Sequence, residues 1–459
     1  MKIVICGAGQ VGHSLAKYLS QTDNDVTVID SSQETIETLN EEFDVQTIIG
    51  HPCQPDIMRR AGTNEADLLI AVTSSDEINM VACQVAHTIF SVPTKIARIR
   101  DQSYLDPEWS SLFAAKNIGI DHIISPEIEI AKAIERNINI SGSFEVECLA
   151  QGQILLIGAR ALPDSSILHT PLKLLSPLLS NTEFNIILII RHDQIIFPQE
   201  HDVIIAGDEV YFICKKDDAP KTMQMFGYYS EPFKRVVIIG GGNIGRNLSK
   251  FLEPHFPNLK TKIIENSKKQ AQLLSEKFSN SVVIYGNALD SDILQEANVG
   301  GSEIVVSVTN DDKVNILSSL LAKKLGAKRT LSLINSTNYN SLMSSLGVDG
   351  IINPRSITIS SILHYLRRGS IKSIHSLKDG VAEVIEGEVT NASPIAGCFV
   401  KKINLRNVMQ ILAVVRNGDI IFATENLAMI PGDYVIMIVA AHSTKKAEKL
   451  FTNRTEYLF

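Results

Sequence analysis

Long apolar stretches, an excess of positive charge and closely spaced cysteines are all missing from this chain of 459 residues. No apolar run approaches the roughly 18 residues that a membrane-spanning helix needs, so we do not expect the chain to cross a membrane. The net charge is −8 and the pI about 5.8, which argues against a nucleic-acid partner because such binders present strong positive charge. The six cysteines show no C-x-x-C spacing, and the amino-terminal segment lacks the basic and apolar regions of a signal peptide. We therefore expect a cytoplasmic protein with free thiols.

Two glycine-rich loops stand about half the chain apart, each between an apolar run and a helix-like segment. Their sequences are Gly7-Ala8-Gly9-Gln10-Val11-Gly12 and Gly240-Gly241-Gly242-Asn243-Ile244-Gly245. In this spacing the first glycine permits a tight turn, the second lets backbone N–H groups approach a pyrophosphate, and the third lets the helix pack on the strand. The duplicated spacing predicts two nucleotide-binding sites, to which the residues between the second and third glycines also contribute.

An acidic residue ends the strand that follows each loop, Asp30 in the first half and Glu265 in the second. A carboxylate at this position accepts hydrogen bonds from the ribose hydroxyls of an adenosine group. It would repel a 2′-phosphate, which favours NAD(H) or ATP/ADP over NADP. Asp30 has a second interpretation, because residues 31–34 have the pattern of a helix capping box. We find no such box after Glu265, so its match to Asp30 favours ribose recognition.

Polar residues follow the predicted fourth strand of each half, at the edge where open parallel sheets place their ligands. The candidate nucleotide contacts there are Thr73, Ser74, Asn79, Thr309, Asn310 and Asn315. Residues 74–77 also have the pattern of a capping box, and the two roles are compatible. Asn79 and Asn315 have two interpretations, as side chains that reach a bound nucleotide or as caps of a turn.

Basic residues distinguish the two halves. Arg246 follows the third glycine of the second loop, where a cation opposes the helix dipole unless an anion neutralises it. It is interpreted either as a phosphate ligand or as an exposed side chain. Arg98 and Arg100 stand two residues apart on the predicted fifth strand, so they should share a face. The second half has Ser332 and Ile334 nearby, which predicts two sites that differ in charge and in nucleotide preference.

The repetition extends well beyond the loops. The matching segments are residues 50–58 with 286–294, 66–79 with 302–315, 117–126 with 345–354, and 206–213 with 431–438. A chain built twice in this way predicts four domains, large, small, large and small. Their predicted limits are residues 1–140 and 231–370 for the nucleotide-binding domains, and 141–230 and 371–459 for the small ones.

The predicted fold class is α/β. In each large domain short β-branched runs alternate with helical periods, which indicates a Rossmann-like, doubly wound parallel sheet. The small domains have brief strands separated by turn residues, which indicates antiparallel hairpins with one or two helices, an α+β unit. Apolar stripes that include Ile134 and Ile362 mark helices after Pro126 and Pro354. Each stripe covers the sheet before it or packs on a neighbouring domain.

The usual signs of catalysis are also missing. A dehydrogenase needs an acid or base beside the nicotinamide, and no histidine recurs between the halves. No Walker lysine, nucleophile elbow or cluster of metal ligands is apparent. We therefore expect a nucleotide sensor without enzymatic activity, with a soluble NAD-dependent oxidoreductase of duplicated Rossmann domains as the alternative.

The order of the four domains resembles the regulator of potassium conductance (RCK) family over essentially the whole chain. The resemblance rests on residues 1–12 with the first glycine loop, residues 26–30, 66–73 and 97–100, Asn79, and the Gly-Asp turns at 207–208 and 432–433. It implies that the large domains are RCK N-type and bind NAD(H) or ATP/ADP, and that the small ones are RCK C-type. It also implies a homo-oligomer, expected to be a tetramer, at the inner face of the cell membrane. There the chain would regulate a membrane-embedded potassium transporter subunit of the Trk type.

Overall fold

The computed structural model describes residues 1–451 except 21–23, 179–182, 193, 230–232, 337–338, 340–345, 367–370, 378–379 and 406–407. The predicted domain limits at 230 and 370 and the start of the repeat at 345 lie outside the described residues. The chain forms two compact units, Met1–Ile130 with Pro354–Leu366 and Ala131–Asn353 with Arg367–Phe459. None of the helices in the described ranges has the length and apolarity to span a bilayer.

The first unit contains a parallel sheet in the order β3-β2-β1-β4-β5-β6. Its strands are Lys2–Cys6 (β1), Asp25–Asp30 (β2), Gln46–Ile49 (β3), Leu68–Ala71 (β4), Thr94–Arg98 (β5) and His122–Ile124 (β6). Its connecting helices are Gln10–Ser20 (α1), Gln33–Glu42 (α2), Pro55–Arg60 (α3) and Asp76–Thr88 (α4). The central strand β4 is buried along its whole length, which explains its unbroken apolar sequence. The strand order reverses between β1 and β4, so a crevice opens at their carboxyl ends.

The long helix Pro126–Asn139 (α5) leads from the first unit into the second, where a small antiparallel sheet follows. Its strands, ordered β10-β9-β11-β8-β7 in the sheet, are Ser143–Leu149 (β7), Ile154–Arg160 (β8), Phe184–Arg191 (β9), Gln194–Ile196 (β10) and Glu209–Lys215 (β11). Two helices accompany it, Leu172–Leu178 (α6) and Ala219–Met225 (α7). The hairpins and helices predicted for this small domain are thereby confirmed.

A second parallel sheet repeats the topology of the first, in the order β14-β13-β12-β15-β16-β17. Its strands are Arg235–Ile239 (β12), Lys260–Glu265 (β13), Ser281–Tyr285 (β14), Ile304–Ser307 (β15), Arg329–Leu333 (β16) and Gly350–Ile352 (β17). Its helices are Asn243–His255 (α8), Lys268–Lys277 (α9), Ser291–Glu296 (α10) and Asp312–Leu325 (α11). Two Rossmann-like parallel sheets, as predicted, are therefore present.

After the helix Pro354–Leu366 (α12), a second antiparallel sheet has the order β18-β19-β22-β20-β21. Its strands are Ile371–Leu377 (β18), Ala382–Glu388 (β19), Met409–Arg416 (β20), Asp419–Phe422 (β21) and Tyr434–Ala440 (β22), with helices Val400–Ile403 (α13) and Thr444–Glu448 (α14). Residues from both small sheets share one apolar core, in which Leu156 and Tyr211 meet Leu412 and Ile436. The two small domains therefore pack on each other through their sheets.

The repeated Gly-Asp turns are explained by a buried ion pair in each small domain. Arg191 donates two hydrogen bonds to Asp208, at 2.8 and 2.7 Å. Arg416 donates to Asp433 in the same two-pronged way, at 2.7 and 2.8 Å. Both aspartates are almost fully buried, and a bidentate guanidinium satisfies both carboxylate oxygens.

The helices after Pro126 and Pro354 pack on the large domain of the other repeat. Helix α12 lies in the first unit, where Ile362 belongs to the apolar core of the first sheet. The second half of α5 lies in the second unit, where its last turn and the loop after it meet Arg329 of β16. The Arg329 guanidinium donates to the carbonyls of Asn137 at 2.8 Å and Ile140 at 3.2 Å. For the apolar stripe of α12, packing on a neighbouring domain is the interpretation observed.

Candidate nucleotide-binding sites

The glycines of the first loop divide into two kinds. Gly7 has a φ of +105°, and a β-carbon added there would lie 2.9 Å from the backbone nitrogen of Thr73. A β-carbon at Gly12 would lie 1.8 Å from the carbonyl oxygen of Gly7. Around Gly9, by contrast, no atom of the described residues other than its own chain neighbours lies within 4 Å of such a carbon. The fold itself therefore requires the outer glycines, whereas the middle glycine faces open space, as the close approach of a pyrophosphate would require.

The second loop repeats this division. Gly240 has a φ of +107°, and its added β-carbon would lie 3.0 Å from the nitrogen of Thr309. At Gly245 the carbon would lie 2.0 Å from the carbonyl oxygen of Gly240. At Gly242, chain neighbours aside, it would meet nothing within 4 Å in the part of the chain that is described. Each loop leads directly into the amino terminus of a helix whose first turn has no acidic residue. Such a terminus attracts anions because its N–H groups are unpaired and its dipole is positive.

The residues after each middle glycine begin these helices. Gln10 and Val11 start α1, with Gln10 exposed and Val11 packed partly against the core of the first sheet. Asn243 and Ile244 start α8, and both are half-buried. In this position their backbone N–H groups belong to the first helical turn, which is the part of the loop that can bind phosphate.

The two predicted ribose carboxylates bind their own glycine loops. Asp30 accepts hydrogen bonds from the backbone N–H of Ala8 at 2.6 Å and of Ser32 at 2.8 Å. Glu265 accepts from Gly241 and Ser267 at 2.8 Å each. Each carboxylate thus fixes the loop to the start of the next helix. Its remaining lone pairs can still accept from ribose hydroxyls, since a carboxylate has about four acceptor positions.

The helix caps near these carboxylates differ from the predicted ones. The cap of α2 is Ser32, which accepts from the N–H of Thr35, and the box predicted at residues 31–34 is one residue out of register. Helix α9 also has a capping serine, Ser267, which accepts from Gln270. The statement that no box follows Glu265 was therefore wrong, and the sequence Ser267-Lys268-Lys269-Gln270 carried the signal. Asp30 and Glu265 each accept a hydrogen bond from the backbone N–H of the capping serine, Ser32 and Ser267 respectively.

Asn79 and Asn315 hold the loops that follow the fourth strands. Asn79 is fully buried, and its carbonyl oxygen accepts from the backbone N–H and the hydroxyl of Thr73 at 2.9 and 2.7 Å. Its amide donates to the carbonyl of Arg98 at 2.9 Å. Asn315 makes the same bonds to Thr309 and to the carbonyl of Leu333. With every amide atom engaged, these side chains position the threonine loops against the sheet.

Ser74 and Asn310 lie exposed beside those loops, one in each half. The cap of α4 is Ser75, which accepts from the N–H of Ile78, so the box predicted at residues 74–77 is also displaced by one residue. In the second half Asp311 caps α11. Neither Ser74 nor Asn310 therefore serves as a helix cap.

Arg98 and Arg100 occupy different surroundings in the first site. Strand β5 ends at Arg98, so Arg100 lies just beyond the strand, whereas it was expected on the strand. The Arg98 Nε is buried and has no hydrogen-bond partner within the described residues. Burial and the nearby Arg100 charge lower the pKa of Arg98. Arg100 instead pairs with Glu127 at the start of α5, with 2.8 Å between Nε and Oε1.

The second site has no arginine at the positions equivalent to Arg98 and Arg100. The carbonyl of Leu333 bonds to Asn315 as that of Arg98 bonds to Asn79. Asn335 donates its N–H to Asp312 as Arg100 does to Asp76. The positions equivalent to the two arginines are therefore Leu333 and Asn335, and the expected Ser332 and Ile334 were one residue out of register.

Arg246 lies in the first turn of α8, beside the second glycine loop. It donates to the side chain of Asn243 at 3.0 Å, and its buried Nε has no partner within the part of the chain described. In the first half the same place belongs to His13, which bonds to Glu42 at 2.8 Å. Each site thus contains one guanidinium with an unsatisfied buried N–H, at the end of β5 in the first and on α8 in the second.

Together these groups can bind a nucleotide, with loop N–H groups and a guanidinium for phosphates and a carboxylate for ribose. Across the described ranges no three His, Cys, Asp or Glu side chains cluster as metal ligands would.

Comparison with known proteins identifies the family to which the chain is similar. Residues 3–126 and 236–354 match the TrkA-N domain, and residues 156–227 match the TrkA-C domain. The Trk system potassium uptake protein TrkA of Azorhizobium caulinodans is 40% identical over 457 residues, which covers 100% of both chains. The TrkA proteins of Halomonas elongata and Haemophilus influenzae are 38% and 37% identical, each over 98% of both chains.

Solved structures show the same fold. The crystal structure of the GsuK RCK domain has a TM-score of 0.59 at 17% identity and covers 98% of this chain and 94% of its own. The GsuK channel bound to NAD also has a TM-score of 0.59 at 17% identity, with 98% of this chain and 78% of that chain covered. The expected resemblance to RCK proteins is confirmed, and the chain belongs to the family of Trk system potassium uptake proteins TrkA.

Proposed function

We propose that this chain is the nucleotide-binding regulatory subunit of a Trk-type potassium uptake system. Its two sites bind NAD(H) or ATP/ADP, and their occupancy gates a membrane-embedded potassium transporter subunit. The observation that carries this proposal is the open space at Gly9 and Gly242, inside two loops that are otherwise closely packed. Support for the partner comes from relatives that are named for a potassium uptake system rather than for an enzyme.

The two sites should prefer different ligands because their cations lie in different places. Arg98 adds positive charge at the carboxyl end of β5, where the second site has the apolar Leu333. Terminal phosphates gain a charge-assisted bond from such a guanidinium. We therefore assign the stronger binding of nucleoside di- and triphosphates to the first site. The second site, with Arg246 close to its glycine loop, favours a dinucleotide whose charge is confined to the pyrophosphate.

A route from the first site to the rest of the chain runs through α5. Arg100 pairs with Glu127 on the first turn of this helix, and the same helix continues into the second unit. A bound phosphate that attracts Arg98 and Arg100 competes with Glu127 for the Arg100 guanidinium. It therefore weakens the ion pair that holds the first turn of α5. Such a ligand can shift the protein only by the difference between its affinities for the two arrangements.

Assembly and location complete the proposal. The chain forms a homo-oligomer, as a tetramer, and attaches to the inner face of the cell membrane through the transporter subunit. Closed rings are a common solution for repeated, symmetric surfaces. Because linkage is reciprocal, docking on the transporter must change the affinity for nucleotide by the same factor by which nucleotide changes docking.

Potassium flux into vesicles that contain the transporter subunit tests this function. With wild-type chain added, ATP or NADH should change the flux, whereas a Gly9→Val/Gly242→Val double variant should dock without responding. An equal response from the double variant would refute nucleotide gating. Steady turnover of NAD by the isolated chain with a small-molecule substrate would instead support the oxidoreductase alternative.

A further inference from the structure

Glu147 and His375 occupy equivalent positions in the two small domains and face each other. Each stands two residues before the end of its strand, on β7 and β18 respectively. These strands hold the same place, each at the edge of its sheet and hydrogen-bonded to the next strand along the chain. The His375 Nδ1 lies 4.0 Å from Oε2 of Glu147. A repeat that kept glutamate at both positions would bring two carboxylates together, so the histidine changes a repulsion into an ion pair.

The other ring nitrogen faces a second carboxylate. His375 Nε2 lies 3.5 Å from Oε1 of Glu386, which is on the adjacent strand β19. An imidazole with acidic partners on both nitrogens donates on both sides only when it is protonated. His375 is 19% exposed and Glu386 5%, so water screens these charges poorly.

Glu386 also joins the two small domains directly. Its Oε2 accepts a hydrogen bond from the backbone N–H of Ala150, directly after edge strand β7 of the first small domain, at 2.6 Å. Its Oε1 accepts from the hydroxyl of Ser373 on its own sheet. The charge state of His375 therefore acts on a carboxylate that bonds across the boundary between the domains.

Arg136 and Tyr434, among the described residues, also act on these side chains. Arg136 of α5 is committed to Glu147, with 2.8 Å between Nη2 and Oε2. Tyr434 of β22 approaches Glu386, and burial together with that carboxylate raises its pKa, so it stays neutral. Two carboxylates thus share one arginine and one histidine. Loss of the histidine proton leaves an uncompensated negative charge among poorly hydrated groups, which is costly.

We propose that His375, Glu386 and Glu147 form a proton-controlled joint between the small domains, closed at acidic to neutral pH and loosened as the pH rises. This joint goes beyond nucleotide sensing, since it gives the subunit a second input, the proton concentration. The geometry requires the proton on the imidazole for both ion pairs to form, and Glu386 carries the change to the bond with Ala150.

The direction of the pH effect follows from the ionisation equilibria. Burial and the charge of Arg136 disfavour the charged imidazole, but the hydrogen bond to Glu386 and the charges of Glu147 and Glu386 outweigh them and raise the pKa of His375. An unfolded histidine has a pKa of about 6.5. The stabilisation is therefore complete below about pH 6.5 and disappears as the pH rises through the higher folded value. The pKa of Glu386 is lowered, despite burial, by the same histidine, so Glu386 stays ionised throughout this range.

Hydrogen exchange at the Ala150 amide of the full chain tests the joint. Between pH 6 and 9, protection of this amide in the wild type should fall at least tenfold after correction for the intrinsic rate. In His375→Gln the protection should not depend on pH over this range. His201→Gln, which changes a histidine with a 76% exposed side chain, should behave as the wild type. Constant protection in the wild type, or an unchanged pH effect in His375→Gln, would overturn the proposal.

Titration of the His375 ring by NMR gives a second test, and its first measurement uses the wild type alone. Its midpoint should lie above pH 6.5 and should fall in Glu147→Gln. A midpoint at or below 6.5 would overturn the proposal. His375→Glu, which brings three carboxylates together, should reverse the pH effect. Protection of the Ala150 amide should then increase as the pH falls.

Discussion

Asp30 and Ala8, 22 residues apart in the chain, are joined by a 2.6 Å hydrogen bond from the backbone N–H of Ala8 to a carboxylate oxygen. Glu265 and Gly241 repeat this bond at 2.8 Å in the second half. The residue expected to recognise ribose therefore also fixes the loop expected to bind phosphate. Substitutions at these acids must be designed to separate the two effects.

Replacing Asp30 by Asn should weaken adenosine nucleotide binding at the first site by about 1 to 3 kcal/mol, the scale of a hydrogen bond to a charged group. The amide oxygen can still accept from Ala8, whereas the amide nitrogen would face the exposed N–H of Ser32 and cannot accept from it. The midpoint of thermal unfolding should therefore fall less than in Asp30→Ala. Asp30→Ala should lower both binding and stability. Glu41→Gln on the exposed side of α2 serves as the control. Normal affinity for both ATP and NAD in Asp30→Asn would leave the carboxylate with a structural role alone.

Replacing Arg98 by Leu gives the first site the residue that the second has at the equivalent position. Measured by calorimetry in a Gly242→Val background, ATP affinity should fall about 10- to 100-fold, since a charge-assisted bond contributes about 1.5 to 3 kcal/mol. Adenosine, which has no phosphate, should bind as before. The matched exchange, Leu333→Arg in a Gly9→Val background, should raise ATP affinity at the second site. An equal loss for adenosine and ATP would contradict the phosphate role of Arg98.

Replacing Asn79 by Ala should destabilise the first domain by at least about 2 kcal/mol, because the N–H of Thr73 and the carbonyl of Arg98 lose their partner in a buried setting. Asn315→Ala should have a matching effect on the second domain. Urea unfolding measures the loss, and Ser74→Ala, at an exposed position, is the control. If Asn79→Ala lost nucleotide binding at full stability, Asn79 would be a direct ligand contact instead.

Replacing Arg329 by Met should loosen the end of α5, since the guanidinium bonds to the carbonyls of Asn137, Ile140 and Ser143. Burial lowers its pKa to about 10, so it remains charged at neutral pH. Arg329→Lys should recover only part of the loss, because an ammonium lacks the planar fork. Hydrogen exchange in the last turn of α5 measures the effect, with the exposed Lys324→Met as control. No change in exchange would show that α5 is held by other contacts.

The sequence was sufficient to predict the strands of the large domains, their two parallel sheets and the glycine loops. These features depend on local patterns of apolar residues and on backbone freedom at Gly7 and Gly240. It was insufficient to predict that α12 packs on the large domain of the other repeat. An apolar stripe on α5 or α12 shows that the helix is buried but not which sheet covers it.

Errors of one residue had local causes. Adjacent serines at 31–32 and 74–75 offered two possible caps, and backbone geometry selected the second in each case. The segment from Asp312 to Leu333 is one residue shorter than that from Asp76 to Arg98, which displaced the expected equivalents of the arginines. The pairing of His375 with Glu147 depends on how two sheets pack, and no pattern along one strand reveals that.

Calorimetric titration of the wild type, Gly9→Val and Gly242→Val with ATP and with NADH tests the central claim most directly. Both glycines face open space, so each variant should fold normally, whereas Gly12→Val should not, because its side chain would meet the carbonyl of Gly7. We expect two binding components in the wild type and one in each folded variant, with ATP binding reduced more by Gly9→Val. Isotherms of the two variants that match the wild type would contradict the account, because the glycines would then serve only as turns.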